Sequence, residues 1–139
     1  MSYDENLKSL SFDADATVGI YTGISGLPGS AVPNGGQQYK ALALTGKNQV
    51  GLGAVGGTNF IGVLQNKPQR PGQACTVGVQ GISLVLAGGV IAAGDLLTTN
   101  AAGQFITNAV PGPASVSVAR AVAPAAGAGE LISALLLVA

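Results

Sequence analysis

One short pattern occurs three times in this chain: a turn glycine, then one polar or acidic residue, then a run of apolar residues. The three glycine-led pairs are Gly72-Gln73, Gly94-Asp95 and Gly129-Glu130. Glycine accepts the positive φ that tight turns require, and short apolar runs bounded by turns are typical of strands. The spacing between the three turns is unequal, which argues against a solenoid or propeller. The pattern therefore predicts an all-β chain with a compact β-barrel or β-sandwich body.

The composition agrees with that prediction. The chain has 139 residues, enough for one domain with a substantial core. It contains 22 glycines, each of which costs about 1 kcal/mol inside a helix relative to alanine. Small residues dominate the hydrophobic fraction, and small side chains let β-layers pack closely. We assign residues 17–139 to a single β-rich domain.

Turn signals and apolar patterning divide this domain into predicted strands. Ser115–Val122 alternates strictly, with the valines and Arg120 on one face, so that face is not expected to be wholly buried. Leu131–Val138 is almost continuously apolar, which is typical of a strand covered on both faces. Residues 25–36 form a loop by composition, either a binding element or a disordered segment. The predicted strands are Thr17–Ile24, Gln38–Thr45, Phe60–Gln65, Ala74–Leu86, the hairpin Leu96–Thr99 with Gln104–Thr107, Ser115–Val122 and Leu131–Val138.

Residues 1–16 differ from the rest of the chain in charge. They hold four of the six acidic residues and little periodicity, so we predict an extended N-terminal arm, which is either a solvated terminus or a docking arm. The net charge is zero, and no basic cluster favours a nucleic-acid partner. No signal peptide is apparent, and the longest apolar stretch is far shorter than a bilayer span. We therefore expect neither nucleic acid nor membrane as a partner.

The sequence offers little for catalysis or metal binding. Without histidine, Cys75 has no imidazole to activate it, and its alternation with Val77 predicts a small buried hydrophobe. Asp95 and Glu130 follow turn glycines, where acids commonly accept hydrogen bonds from backbone N–H groups. We expect no enzymatic activity, no catalytic or metal-binding residues and no cofactor. Lys67 and Arg70 form a close basic pair in a turn, either a solvated loop tip or a contact to an acidic partner.

Two regions of the chain carry a family resemblance. One combines Gly62–Asn66, Pro71–Gln73, Val77–Ile82 and Ala87–Leu97; the other combines Ala119–Val122 and Ala126–Leu136. These motifs resemble those of the capsid decoration proteins of tailed bacteriophages, also called cement or head-stabilising proteins. The resemblance covers roughly residues 60–138, and residues 1–59 match less clearly.

This resemblance implies a β-rich body on the exterior of a phage capsid, bound at junctions between major capsid protein subunits and stabilising the head. It implies a virion protein made in the host cytoplasm, and a homo-oligomer, with a trimer as the expected form. The arm would reach a neighbouring subunit and could add a strand to its exposed edge. The alternative is a phage fibre or receptor-binding head component; a carbohydrate-binding or hydrolytic domain has little support. The residues expected to contact the capsid are Tyr3, Asp4, Glu5, Leu7, Leu10, Phe12, Lys67 and Arg70.

Overall fold

The computed structural model describes residues 7–15, 37–52, 54–66 and 72–137. Within these ranges the chain forms nine strands and one short 3₁₀ turn, Val55–Gly57, and no α-helix. The all-β prediction is therefore confirmed. The strands are β1 Lys8–Ala14, β2 Ala41–Gly46, β3 Gln49–Gly51, β4 Phe60–Leu64, β5 Ala74–Leu86, β6 Leu96–Thr99, β7 Phe105–Thr107, β8 Ala119–Ala121 and β9 Leu131–Leu136.

The first five strands close into a barrel. Their order is β1-β3-β2-β4-β5, and antiparallel pairing of β1 with β5 completes the ring. Side chains that alternate along the strands fill the interior, as the period-2 geometry of a strand requires. This barrel core consists of Ala14, Leu42, Val50, Leu64, Cys75 and Val77.

Strand β5 is long enough to belong to two sheets. Its first half lies in the barrel, and residues 81–86 pair with β9 in a second sheet of order β5-β9-β8-β6-β7. The change occurs at Gly81, whose φ of 109° is available to glycine but strained for other residues. Cys75 and Val77 face the barrel core, and Val85 faces the second core, so the same side of β5 contributes to both cores.

The second core lies between the second sheet and the outside of the barrel wall. Ala41 and Val63 come from barrel strands, but their side chains join this second core rather than the barrel interior. Phe60 and Phe105 meet here edge to face, with ring centroids 6.1 Å apart. The first half of β2 (residues 41–43) and the adjoining part of β4 are consequently covered on both faces, whereas residues 44–46 of β2 are exposed.

All three turn glycines that open the recurrent pattern adopt positive φ. The values are 85° at Gly72, 91° at Gly94 and 91° at Gly129. The acids that follow act as predicted: the Asp95 carboxylate accepts hydrogen bonds from the Ala92 N–H and the Thr107 hydroxyl. Glu130 accepts from the N–H groups of residues 126 and 127. Each occurrence of the pattern is therefore a tight turn that leads directly into a strand.

Two strand predictions need correction. Only Ala119–Ala121 of the predicted strand Ser115–Val122 is a strand, because Ser115 bonds Gly112 in a turn and the Val116 N–H donates to Gly56. Within this strand Ala119 and Ala121 turn towards the core and Arg120 is exposed, which confirms that the Arg120 face is not wholly buried. The final strand ends at Leu136, and only one of its faces is buried among the described residues, contrary to the prediction that both are covered.

The described half of the predicted arm is part of the barrel. Residues 8–14 are extended, as expected, but they pair with β5 and β3 of the same chain rather than projecting from it. Residues 1–6 lie outside the described residues. So do the predicted strand Thr17–Ile24 and the predicted loop 25–36.

Candidate interaction surfaces

Strand β1 and the residue before it bring together three of the residues expected to contact a capsid: Leu7, Leu10 and Phe12. Leu7 is half-buried against the second core, and Phe12 is half-buried against the barrel core. Leu10 is 53% exposed, although it alternates in step with Phe12 and the buried Ala14. Of the three, Leu10 is therefore the side chain most available to a partner, while its neighbours hold the strand in place.

One edge of β1 extends past its neighbouring strand. Pairing with β3 is confined to Asp13 and Ala14, since the β2–β3 hairpin turns at Lys47 and Asn48. The N–H groups of Asp13 and Asp15 donate to β3 and its turn, whereas that of Ala14 donates towards β5.

Strand alternation assigns the remaining backbone groups of β1 to one edge or the other. The backbone N–H and C=O groups of Ser9 and Ser11 point in the same direction as those of Asp13, away from β5. In the part of the chain that the structure describes, no strand pairs with them on that side. We call residues 9–11 of this side the β1 edge.

The other predicted contact residues lie outside the described ranges: Tyr3, Asp4, Glu5, Lys67 and Arg70. The structure does describe Asn66, the residue before the segment that holds the basic pair. The Asn66 side chain accepts a hydrogen bond from the Thr76 N–H at 3.0 Å and donates one to the Ala74 carbonyl at 3.0 Å. Asn66 is thereby held against β5.

A second surface was not among the predicted contacts. On the solvent side of the second sheet, Ile82 of β5 lies directly opposite Leu135 of β9, and Arg120 of β8 lies opposite Leu135 on its other side. The apolar residues of this side are half-exposed; four of them lie in β5 or β9, and Val122 directly follows β8. We call them the outer apolar face: Ile82, Leu84, Val122, Leu131 and Leu135. The nearly continuous apolar run of the last strand was the sequence signal for this face.

A cavity of about 580 Å³ lies between barrel strands and the segment that precedes β8. Its lining includes Phe60, Ile61 and Val79 from the barrel and Val116 and Val118 from the other side. Gln80 and Ser117 add polar groups, and among the described residues no ionisable side chain lines it. The cavity can take up apolar groups, and its described lining holds no acid or base for proton transfer.

Three of the described ionisable groups, those of Cys75, Asp95 and Glu130, have structural roles. Cys75 is fully buried and unpaired with another cysteine, as predicted. Burial, with Asp13 and Asp15 nearby, raises the pKa of its thiol to about 11, which keeps it protonated and unreactive at neutral pH. The described residues contain no group of three metal-ligating side chains. Within the same ranges, no helix is long and apolar enough to cross a membrane.

The comparisons with known proteins yield a structural likeness. No family model matches the chain, and no curated protein matches it. Among solved structures, it is similar to the head fiber gp8.5 N base of bacteriophage phi29, with a TM-score of 0.61. The sequence identity is 21%, and the match covers 94% of this chain and 95% of the other. The likeness therefore extends over nearly the whole of both chains and concerns the fold.

Proposed function

We propose that this chain is a component of a bacteriophage head, and specifically a decoration protein that binds the outer surface of the assembled shell and stabilises it. The observation that carries the proposal is the shared fold with a phage head fiber base along almost the entire chain. The sequence motifs between residues 60 and 138 support it independently, because they resemble those of capsid decoration proteins. Fold alone is compatible with many functions, so the agreement of these two observations matters.

The β1 edge is the contact to the shell that we favour. Ser9 and Ser11 present backbone donors and acceptors in an extended geometry, which is what an added strand from a partner pairs with. This reverses the mechanism expected from the sequence: the partner adds a strand to β1, because β1 is already held by β5 of its own chain. The half-exposed Leu10 would cover apolar surface of the incoming strand.

Binding of this kind explains how a protein without catalytic groups would stabilise a head. Each strand-to-strand hydrogen bond contributes about 0.5–1.5 kcal/mol, so a short augmented strand gives a modest affinity per site. A protein that binds the assembled shell and not the free subunits stabilises the shell by mass action. Many copies on one lattice would add these contributions. The major capsid protein is the partner that this mechanism requires.

A head fibre base is the second candidate. It is favoured by the printed description of the similar structure, which is a head fiber base and not a decoration protein. The outer surface of a phage head is the location in both cases. The two candidates differ in the number of copies: a decoration protein occupies sites throughout the lattice, whereas fibres occupy a restricted set.

The experiment uses heads of the encoding phage assembled without this protein. Purified chain is added, unbound protein is removed by sedimentation, and bound copies per head are measured by quantitative gel densitometry and electron microscopy. Saturation at sites across the whole lattice is expected for decoration. Saturation at a small set of positions would replace decoration by the fibre base, and no binding at all would overturn both.

Two variants test the β1 edge in the same assay. Leu10→Asp places a charge beside the edge, and Ser11→Pro removes a backbone donor that points away from β5. Both are expected to weaken head binding at least tenfold while circular dichroism shows an intact fold. Thr45→Asp, at an exposed position near the end of β2, is the matched control and is expected to bind normally. Equal binding by all three variants would rule out the edge as the contact.

A further inference from the structure

We propose that the outer apolar face is covered by a second copy of this chain. The face is built from regular strand residues: Ile82 is 45% exposed, Leu131 49% and Leu135 40%. Strand period 2 means that these side chains cannot turn inward without exposing the buried residues between them. Those buried residues include Ile132 and Ala134, which belong to the second core. The exposure is therefore fixed by the register of the sheet.

The layer structure of the domain indicates what this face lacks. The opposite side of the same sheet packs on the second core, and the barrel wall beyond it completes that layer. A sheet whose two faces are both apolar needs a layer on each side. Among the described residues, nothing packs on the outer side of β9. In our proposal, a partner supplies the missing layer.

Charge favours a copy of the same chain as that partner. The outer apolar face contains no acidic residue, and Arg120 at its margin donates a hydrogen bond from Nη1 to the Gly94 carbonyl at 2.9 Å. The carboxylates of Asp95 and Glu130 are engaged in their own turns. The chain has zero formal net charge, so two copies approach without net repulsion. A neutral apolar surface is complementary to itself.

The size of the face fits the centre of such an interface. Six-residue strands are about 20 Å long, and three strands are about 14 Å across, which gives a planar area of about 280 Å². A stable interface needs about 800 Å² from each partner. The face supplies about a third of that, as expected of an apolar centre surrounded by a polar rim.

The time at which the face must be covered also favours a second copy over the phage shell. Apolar area left in water costs about 25 cal/mol per Å², and the face is exposed as soon as the chain folds, before any head is bound. Interfaces formed permanently between identical chains are more apolar than those formed later with another protein. The inference does not depend on head binding, and it concerns residues that do not belong to the β1 edge.

Sedimentation velocity over a wide concentration range tests the inference on the purified full-length chain. The wild type is expected to sediment as an oligomer. Leu135→Glu puts a carboxylate at the centre of the face, where Arg120 lies opposite and can pair with it in the monomer. Burying this charge in a copy-to-copy contact should lower the association constant at least about a hundredfold. Leu84→Glu, on the same face, should have the same effect.

The control is Val110→Glu, which changes an apolar side chain that is 79% exposed and lies in a turn, not on the outer apolar face. This variant is expected to remain oligomeric. Circular dichroism and thermal melts establish that all three variants fold. A monomeric wild type would overturn the inference, as would an unchanged mass for both face variants. If those variants kept their mass but lost head binding, the face would belong to the shell and not to a second copy.

Discussion

Replacing Gly94 by alanine isolates the conformational demand of the recurrent turn. The backbone φ at Gly94 is 91°, a conformation that L-residues adopt at a cost of about 1–2 kcal/mol. A Cβ built at this position has no atom within 4 Å, so steric overlap contributes nothing. The N–H of residue 94 donates to Ala121 and its carbonyl accepts from Arg120. Alanine can keep both hydrogen bonds, so the backbone strain alone is measured.

Gly89→Ala is the matched control. A Cβ at Gly89 also has open space around it, but the backbone there is not in the positive-φ region. In both variants alanine restricts the unfolded chain, which stabilises the fold by about 0.4–1 kcal/mol. That contribution cancels in the comparison. The variant at residue 94 should therefore be less stable than the control by about 1–2 kcal/mol, or about 3–10 °C in melting temperature.

Urea unfolding followed by circular dichroism gives both free energies of unfolding. The m-values of the two variants should be equal, because neither changes the surface exposed on unfolding. Gly129→Ala should repeat the result, since its φ is also 91° and its surroundings are equally open. If Gly94→Ala and Gly89→Ala agreed within about 0.3–0.5 kcal/mol, the usual margin for such differences, the turn would not require glycine and the argument would fail.

Two further predictions concern the two cores. The pKa of the Cys75 thiol is raised to about 11 from an ordinary value of 9.0. The stability that comes from keeping this thiol protonated is therefore complete below pH 9 and is lost as the pH rises from about 9 to 11. Cys75→Ala should lack this part of the pH dependence of the free energy of unfolding in urea titrations, and a profile identical to that of the wild type would contradict the prediction. Phe105→Ala should cost about 3–5 kcal/mol, because Phe105 is fully buried and contacts Phe60 edge to face; a loss below 1 kcal/mol in the same titrations would contradict the assigned packing.

The strands that were predicted well share one property. Phe60–Leu64, Ala74–Leu86 and the β6–β7 hairpin are each bounded by turn residues, and their apolar patterning is decided locally. The predicted strand Ser115–Val122 alternates just as regularly, yet most of it is not a strand. Its backbone hydrogen bonds go to Gly112 and Gly56. Local periodicity cannot predict a hydrogen bond to a residue as distant in sequence as Gly56.

The candidate contact surfaces were harder to predict for a related reason. The charges of residues 1–16 suggested a separate arm, whereas Phe12 and Ala14 face the barrel core and fix β1 to the body. Among the described residues, the β1 edge exists because the β2–β3 hairpin ends at Asn48 and leaves Ser9 and Ser11 beyond it. The β2–β3 hairpin and β1 meet only in the folded chain, so their relative lengths cannot be predicted from the local sequence of either one.

The two proposed contacts lie beside different halves of β5, and this predicts an asymmetric coupling between them. An oligomer held by the outer apolar face presents several β1 edges at once, so its head binding is multivalent. Leu135→Glu should therefore weaken head binding as well, although Leu135 is not part of the proposed contact to the shell. Leu10→Asp should weaken head binding and leave the oligomer intact, because β1 pairs with the barrel half of β5 and β9 with the other half. Measuring mass and head binding on both variants separates the two surfaces. Loss of the oligomer in Leu10→Asp would show that they are one interface.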